Sequence, residues 1–299
     1  MPSDVTPLRA GTVCVANVER SRGAYERLIE YRTVETGRIT NSLGGAWSAP
    51  NAAGAPYALL QPPSGADTWL RLVESPSVVG FEPLVSMGWT ALEFCVRDVQ
   101  ALAARLADSP FEIIGPPRRL DGMDSLCAMQ VRGPDGEICY FTQIDDDPPE
   151  LSLPRASSFV DRLFIHVVGA SDLGATQQWV EGHLDCTVAM ARVEMVYTML
   201  ARAFDKPLDT RFTISTLKRG DEVFLQVDQM PPEAVRRPKR AGMLPPGIAM
   251  TTLSVASLDA VANACIEPPA RHDGVLYDGR RSAVLADPDG TLYELLEDA

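Results

Sequence analysis

Two similar stretches, 154 positions apart, decide the fold of this sequence. The first reads PDG at 134–136 and continues as EICYFTQI at 137–144. The second reads DPDG at 287–290 and continues as TLYELL at 291–296. Proline and glycine in these places are typical of a tight turn, because proline presets φ and glycine accepts positive φ. We interpret each stretch as a hairpin turn that leads into a final strand.

The same order of elements precedes both turns. A strand pattern at 91–96 comes before a helical pattern at 98–106. The patterns at 250–255 and 258–265 repeat that order. A looser copy stands upstream in each half, and each adds a later strand. The strand, helix and later strand are at 12–18, 21–31 and 68–73 in the first half, and at 162–168, 172–184 and 222–227 in the second. Self-similarity at a long period indicates a repeated structural unit. We therefore predict four units, each consisting of a strand, a helix and further strands.

A segment rich in proline and acidic residues separates two halves of the chain. It runs from DDDPPE at 145–150 to Pro154, and this composition is typical of a linker. We predict one domain at 1–147 and another at 156–299, and each contains two of the four units.

Composition excludes several classes of protein. The chain has 299 residues, of which 45% are hydrophobic, enough to build packed cores and too many for a disordered chain. Its formal net charge of −13 repels phosphate backbones and anionic lipid, so we expect neither nucleic acid nor a membrane as a partner. No run approaches the roughly 18 to 20 apolar residues that span a bilayer.

The start of the chain and its cysteines indicate the compartment. Residues 1–5 lack the basic and apolar pattern of a secretory signal, so we expect a cytoplasmic protein. The six cysteines form no CxxC pair and mostly lie within apolar runs. This usage favours reduced core thiols over a disulfide framework and predicts no structural zinc.

The repeated unit and its turn point to a known family. A βαβββ unit repeated in pairs, with a DPDG turn before a strand that carries Glu294, resembles the vicinal oxygen chelate superfamily of glyoxalases, bleomycin-resistance proteins and type I extradiol dioxygenases. The resemblance implies an α+β fold in which tandem βαβββ modules form two cup-shaped half-barrels. It also implies a substrate cavity inside a cup and commonly one divalent metal.

In that superfamily the metal ligands come from the first and last strands of paired modules. The matching last-strand residues here are Arg71, Tyr140, Gln226 and Glu294. The first-strand matches depend on register: Thr12, Ala91 or Glu93, Ile165 or His166, and Met250 or Thr252. The extradiol pattern needs two histidines and one glutamate to hold ferrous iron. This sequence departs from it, because Met250 or Thr252 stands at the second histidine position.

The second half provides the candidate catalytic residues. His166 and Glu294 are predicted to face each other across its cup as acid/base groups. With Gln226 they could also form a metal site, if a metal is present. Each residue also has an alternative, purely structural role. His166 would be a core histidine, Glu294 a charged residue at a strand edge and Gln226 a buried amide. Replacing Glu294 with Gln is expected to leave folding nearly intact.

The first half provides the candidate binding residues. Arg71 and Tyr140 are predicted to share one metal-free cavity, because they replace carboxylates of the family pattern and suit a carboxylate or phenolate ligand. Glu93 either contacts substrate or pairs with Arg71. Trp47 belongs to a flexible loop that either covers a cavity mouth or lies on the surface. His183 is interpreted as a helix-end residue and His272 as part of a mobile loop.

These features favour an enzyme that acts on a small aromatic or otherwise apolar oxygenated molecule. We expect non-redox lyase or isomerase chemistry that uses acid/base groups of the C-terminal cup. Two alternatives stay open: a divergent metal-dependent dioxygenase of the extradiol type, and a non-catalytic protein that binds a small molecule. One divalent metal as cofactor and a homodimer also stay open.

Overall fold

The computed structural model describes residues 6–146 and 152–298. Part of the predicted linker and residues 1–5 lie outside the described residues. The predicted α+β fold is confirmed, with four βαβββ modules in chain order. Module 1 contains β1 (Leu8–Val15), α1 (Val18–Ile29), β2 (Arg32–Arg38), α2 (Asn41–Ala46), β3 (Pro56–Gln61) and β4 (Trp69–Glu74). Module 2 contains β5 (Gly88–Val96), α3 (Val99–Leu106), β6 (Glu112–Leu120), β7 (Met123–Arg132) and β8 (Ile138–Ile144).

The second pair of modules repeats this order with one variation. Module 3 contains β9 (Val160–Ala170), α4 (Leu173–His183), β10 (Thr187–Val196), α5 (Thr198–Ala203), β11 (Arg211–Arg219) and β12 (Glu222–Gln229). Module 4 contains β13 (Ile248–Val255), β14 (Ala270–Arg271), β15 (Arg281–Ala286) and β16 (Leu292–Glu297). Between β13 and β14 the predicted helix is a 3₁₀-helix, Asp259–Ala264.

The helix starts also differ between the modules. Asn17, Asp98 and Asp172 each precede a helix, and each accepts a hydrogen bond from the backbone N–H three residues later. Such N-caps satisfy N–H groups that a helix leaves without partners and stabilise its first turn. Ser257 stands at the equivalent place in module 4, and its hydroxyl accepts a hydrogen bond from Asp259 N (3.2 Å), two residues later and not three. The 3₁₀ segment therefore begins with a different capping bond from the three helices.

The modules assemble into two eight-stranded sheets. The first sheet joins modules 1 and 4 in the order β14-β15-β16-β13-β1-β4-β3-β2, and the second joins modules 2 and 3 in the order β10-β11-β12-β9-β5-β8-β7-β6. Strand β1 lies antiparallel to β13, and β5 lies antiparallel to β9. Each sheet thus takes one module from each predicted half, so the expectation that each half forms its own cup is wrong. The sequence repeat identifies the modules. It does not determine which modules pair, because every module has the same free edge at its first strand.

The apolar residues separate into three clusters. The largest contains residues of both sheets and of the helices packed on them, including Leu92 and Leu253. The second cluster lies inside the first cup and includes Trp47, and the third lies inside the second cup and includes Tyr140. The fold therefore presents two separate cups. No helix within the described residues is long and apolar enough to cross a membrane.

The two predicted turns have a second role, because they fasten modules from the same half to each other. In the first turn, Asp135 accepts hydrogen bonds from Ala16 N (2.8 Å), Arg20 Nη2 (2.5 Å) and the hydroxyl of Ser21 at the start of α1. In the second turn, Asp289 accepts from Ser171 N (2.7 Å) and Oγ (2.6 Å) just before α4. Modules 1 and 2 are thus tied together by one turn, and modules 3 and 4 by the other.

Asp135→Asn is expected to lower the free energy of unfolding by about 1–3 kcal/mol, because hydrogen bonds to a charged group are lost and donors are left facing an amide. Urea unfolding followed by circular dichroism measures the change. Asp108→Asn, which changes an exposed aspartate, is the control and should leave the midpoint in place. Equal midpoints for the two variants would contradict a fastening role for the turn.

Candidate functional site

Strand register identifies four equivalent inward positions in each sheet. In each module, one of these positions lies on the first strand and the other lies beside it on the last strand, with which the first strand pairs. The first cup has Thr12, Arg71, Thr252 and Glu294, and the second cup has Glu93, Tyr140, Val167 and Gln226. These are the positions that the resemblance associates with metal ligands, and they now fall at the bottom of two cups.

In the first cup, the carboxylate of Glu294 is saturated with donors. Its Oε1 accepts from Trp47 Nε1 (2.8 Å) and Tyr277 Oη (2.7 Å). Its Oε2 accepts from Arg71 Nη2 (2.8 Å) and Thr252 Oγ1 (2.6 Å). A carboxylate has about four acceptor positions. None remains for a metal or for a substrate proton.

The guanidinium of Arg71 is the cation at the centre of this cup. It is 2% exposed, and its Nε and Nη2 both donate to Thr12 Oγ1, at 2.9 and 2.8 Å. Its Nη1 donates to Tyr277 Oη (2.6 Å), and its Cζ lies 4.5 Å from the centre of the Trp47 ring. A buried ion pair with this many partners has its desolvation cost offset by hydrogen bonds and a cation–π contact.

Glu294 therefore remains charged. Burial alone would raise its pKa, but the charge of Arg71 and the hydrogen bonds from Thr252, Trp47 and Tyr277 outweigh burial and lower it. A divalent metal does not fit this cup, because Arg71 already supplies the positive charge beside the carboxylate. Within the described residues, no group of three or more His, Cys, Asp or Glu side chains is placed to hold a metal ion.

The second cup holds a carboxyl group of a different kind. Glu93 on β5 is partly exposed, and its Oε1 accepts a hydrogen bond from Thr142 Oγ1 (2.5 Å). Burial raises the pKa of Glu93 to about 7, against the opposing effect of the Thr142 hydrogen bond. Tyr140 lies beside it on β8, at the register position opposite Glu93. This cup thus contains an acid that changes charge near neutral pH.

A chain of hydrogen bonds crosses the second cup from β8 to β12. Tyr197 Oη donates to Tyr140 Oη (3.3 Å), and Gln226 Nε2 donates to Tyr197 Oη (3.2 Å) and to Asp228 Oδ1 (2.7 Å). Burial raises the pKa of Asp228 to about 7, although Gln226 acts in the opposite direction. The cup wall is apolar and partly exposed around these groups, with Ile114, Leu120, Met123, Met190 and Phe204.

A metal site is not supported by the second cup either. Its four equivalent positions carry one carboxylate, one phenol, one amide and the aliphatic side chain of Val167. Ferrous iron and other metals of this kind prefer imidazole together with carboxylate ligands. The proposed set of His166, Gln226 and Glu294 is not brought together, because Gln226 lies in the second cup and Glu294 in the first.

His166 lies outside both cups, on the face of β9 that packs against the first sheet. Its Nδ1 bonds to the hydroxyl of Thr251, and its ring centre is 5.9 Å from that of Trp89. A Cβ on Gly11 would lie 3.0 Å from its Cε1, so the glycine allows this close approach. The alternation of β9 sends Val167 into the cup instead. The prediction that His166 faces Glu294 across one cup is therefore wrong.

His166 should stay neutral across the physiological range, because burial lowers its pKa to about 3. NMR of the imidazole nitrogens between pH 8 and 5 should show no titration of this residue. A short histidine-containing peptide in the same tube should titrate near the ordinary side-chain value of about 6.5. Since the unfolded chain takes up this proton more readily, protonation favours unfolding as the pH falls below about 6.5. A midpoint near 6.5 for His166 would contradict its burial between the sheets.

The other predicted residues divide between the cups. Arg71 and Tyr140 do not share a cavity, and Arg71 pairs with Glu294 and not with Glu93. Trp47 is buried inside the first cup, next to α2, and does not lie in a loop over its mouth. His183 ends α4, as predicted, and His272 is buried, contrary to prediction.

Tyr197, Asp228 and Tyr277 were missed by sequence reasoning. Asp228 follows Gln226 by two residues, so strand alternation could have placed both in the same cup. Tyr197 comes just before α5 and Tyr277 lies in the segment between β14 and β15, where no periodic pattern relates sequence to position.

Four βαβββ modules paired into two cups define a vicinal oxygen chelate fold. No family model matches this sequence, and no curated protein matches it. Among solved structures, glyoxalase I from Zea mays is similar, with a TM-score of 0.65 and 16% identity over 97% of this chain and 92% of that one. A "putative dioxygenase" from Bacillus subtilis is similar with a TM-score of 0.61 and 9% identity over 98% and 85%. These likenesses show the fold alone.

Proposed function

We propose that the second cup is the active site of an enzyme that moves a proton on a small apolar molecule bearing a carbonyl and a neighbouring oxygen. Glu93 is the general base, and the hydroxyl of Tyr140 binds the carbonyl oxygen. The single observation that carries the proposal is the placement of a partly exposed carboxyl group beside a phenol at the bottom of an apolar cup.

The chemistry follows from the properties of these two groups. Glu93 takes the proton from the carbon next to the carbonyl, and the bonding electron pair moves onto the carbonyl oxygen as an enolate. The Tyr140 hydroxyl donates a hydrogen bond to that oxygen and stabilises its charge. Protonated Glu93 then returns the proton to the former carbonyl carbon, while the substrate's own hydroxyl proton passes to the enolate oxygen and the neighbouring oxygen becomes the new carbonyl. A base with a pKa near the working pH suits this role, since it both accepts and donates the proton.

The remaining groups of the cup support Tyr140. Its pKa is raised well above the ordinary value by burial, so the phenol keeps its proton and acts as a donor. Tyr197 donates to the Tyr140 oxygen, which leaves the hydrogen of Tyr140 free to point to a ligand. Gln226 holds Tyr197 in turn. An isomerase of this kind needs no redox partner.

Deuterium exchange tests the proposal without knowledge of the substrate. The protein is incubated in D₂O with aryl and alkyl α-hydroxyketones, with and without a chelator, and loss of the carbon-bound proton is followed by NMR. We expect catalysed exchange of at least one compound, unchanged by the chelator. Saturable binding without exchange at any pH from about 6 to 9 would overturn the enzyme and leave the binding-protein alternative.

A further inference from the structure

A separate cavity opens at the mouth of the first cup. Its volume is about 290 Å³, and Arg71 and Tyr277 form its floor. Its apolar wall comes from α2 and from β3 and the segments beside them: Ile39, Leu43, Leu59 and Leu276. The proposed active site lies in the other sheet, so this cavity is a second place where a small molecule could bind.

The floor has one donor left over. A guanidinium has five N–H groups, and Arg71 uses one at Nε, two at Nη2 and one at Nη1. The fifth, on Nη1, has no acceptor among the described residues. Glu294, by contrast, has no free acceptor position, as described above. The Arg71–Glu294 ion pair therefore offers a ligand one hydrogen-bond donor and no acceptor.

That donor suits a neutral oxygen. The charge of Arg71 is already balanced by Glu294 at 2.8 Å, so a second anion at the floor would be a buried charge without compensation. A carbonyl oxygen accepts the free N–H without adding charge. The inner end of the ligand is thus a ketone or a similar carbonyl group.

Two arginines at the mouth of the cavity are available to bind an anion. Arg38 and Arg271 line it, and both are exposed. Each donates to a backbone carbonyl, at 2.7 Å in both cases, and within the described residues neither forms an ion pair. Of the two acids at the mouth, Glu35 accepts from the Tyr57 hydroxyl and from a backbone N–H, and Asp273 is exposed. Arginines without carboxylate partners are well suited to bind a carboxylate.

We propose that this cavity binds a short oxo carboxylic acid, with its carboxylate at Arg38 and Arg271, its keto oxygen at Arg71 and its apolar chain along the wall between them. The first cup is then a ligand site with an arginine at its floor. This site is independent of the proton transfer proposed for Glu93.

Calorimetric titration of the full chain with three matched compounds tests the proposal. The compounds are 5-oxohexanoate, hexanoate without the keto group, and 2-hexanone without the carboxylate. We expect one-to-one binding of 5-oxohexanoate, about tenfold weaker binding of hexanoate, and weaker binding still of 2-hexanone. Emission of Trp47, whose ring lies over Arg71, should change in parallel.

Three variants locate the binding. The double change Arg38→Gln and Arg271→Gln should weaken 5-oxohexanoate at least tenfold. Ser42→Trp places a large ring at an exposed position of the wall and should abolish binding, with an unchanged circular dichroism spectrum. Glu93→Gln in the second cup should leave binding intact. The proposal is overturned by absence of saturable binding up to about 10 mM, by full binding in Ser42→Trp, or by loss of binding in Glu93→Gln.

Discussion

Glu294→Gln is expected to destabilise the protein by about 3–5 kcal/mol, because it leaves the charge of Arg71 buried without a partner. All four groups around the carboxylate donate to it, so the amide nitrogen of glutamine would face donors. Urea unfolding at pH 7 measures the loss. This result would reverse the sequence-based expectation that the substitution leaves folding nearly intact.

Glu297→Gln is the matched control, since it makes the same change three residues later on β16. Its partner Arg281 is near the surface, where solvent screens an ion pair, so the loss should be much smaller. A double variant, Arg71→Met with Glu294→Leu, removes both charges and should be more stable than Glu294→Gln alone. Equal stability of the two glutamine variants would contradict a buried ion pair in the first cup.

Acid should remove the same stabilisation. The folded protein lowers the pKa of Glu294 below the ordinary 4.5, so its contribution is complete above about 4.5 and is lost as the pH falls through the lowered value. The stability difference between wild type and Glu294→Gln should therefore narrow below pH 4.5. A difference that stays constant down to pH 2 would indicate that the cost comes from packing alone.

Glu93→Gln is expected to reduce catalysed deuterium exchange by about 10²- to 10⁴-fold, the usual contribution of a general base. In the wild type the rate should rise with pH around a midpoint of about 7, because burial raises the pKa of Glu93 to that value and the ionised form takes the proton. The variant should lose this pH dependence, since glutamine has no proton to release. NMR rates from pH 5 to 9 measure both effects.

Glu137→Gln provides a matched control for that experiment. Burial raises the pKa of Glu137 to about 7 as well, but this carboxyl accepts a hydrogen bond from Tyr25 (2.6 Å), in the packing between α1 and the first turn and outside both cups. The substitution should change stability and leave the exchange rate and its pH dependence in place. Equal losses in the two variants would mean that the proton transfer does not depend on the second cup.

Local patterns predicted much of this fold because local physics determines it. Proline and glycine at 134–136 and 287–290 form turns, with φ of 90° at Gly136 and 82° at Gly290. Strand alternation and helix periodicity gave the order of elements in each module. Glu294 was correctly placed on an inward face of a last strand, because that position follows directly from the turn before it.

The partners of these residues depend on contacts far along the chain. Arg71 and Glu294 are 223 positions apart, and no local pattern distinguishes pairing of modules 1 and 4 from pairing of modules 1 and 2. The face of His166 depended on one step of register in a strand that is buried on both sides, where apolar residues occur on both faces. The burial of Glu294 among four donors was not predictable either, because those donors come from separate segments of the chain that only the folded structure brings together.

The exchange of modules between halves sets the order in which the protein can be completed during synthesis. Strand β13 begins 240 positions after β1 begins, and it covers the edge that β1 would otherwise leave open. Until the last module leaves the ribosome, the nascent chain carries an unpaired strand edge and an arginine whose counter-ion has not yet been made. The second sheet needs only modules 2 and 3, so it can close first and the first sheet last.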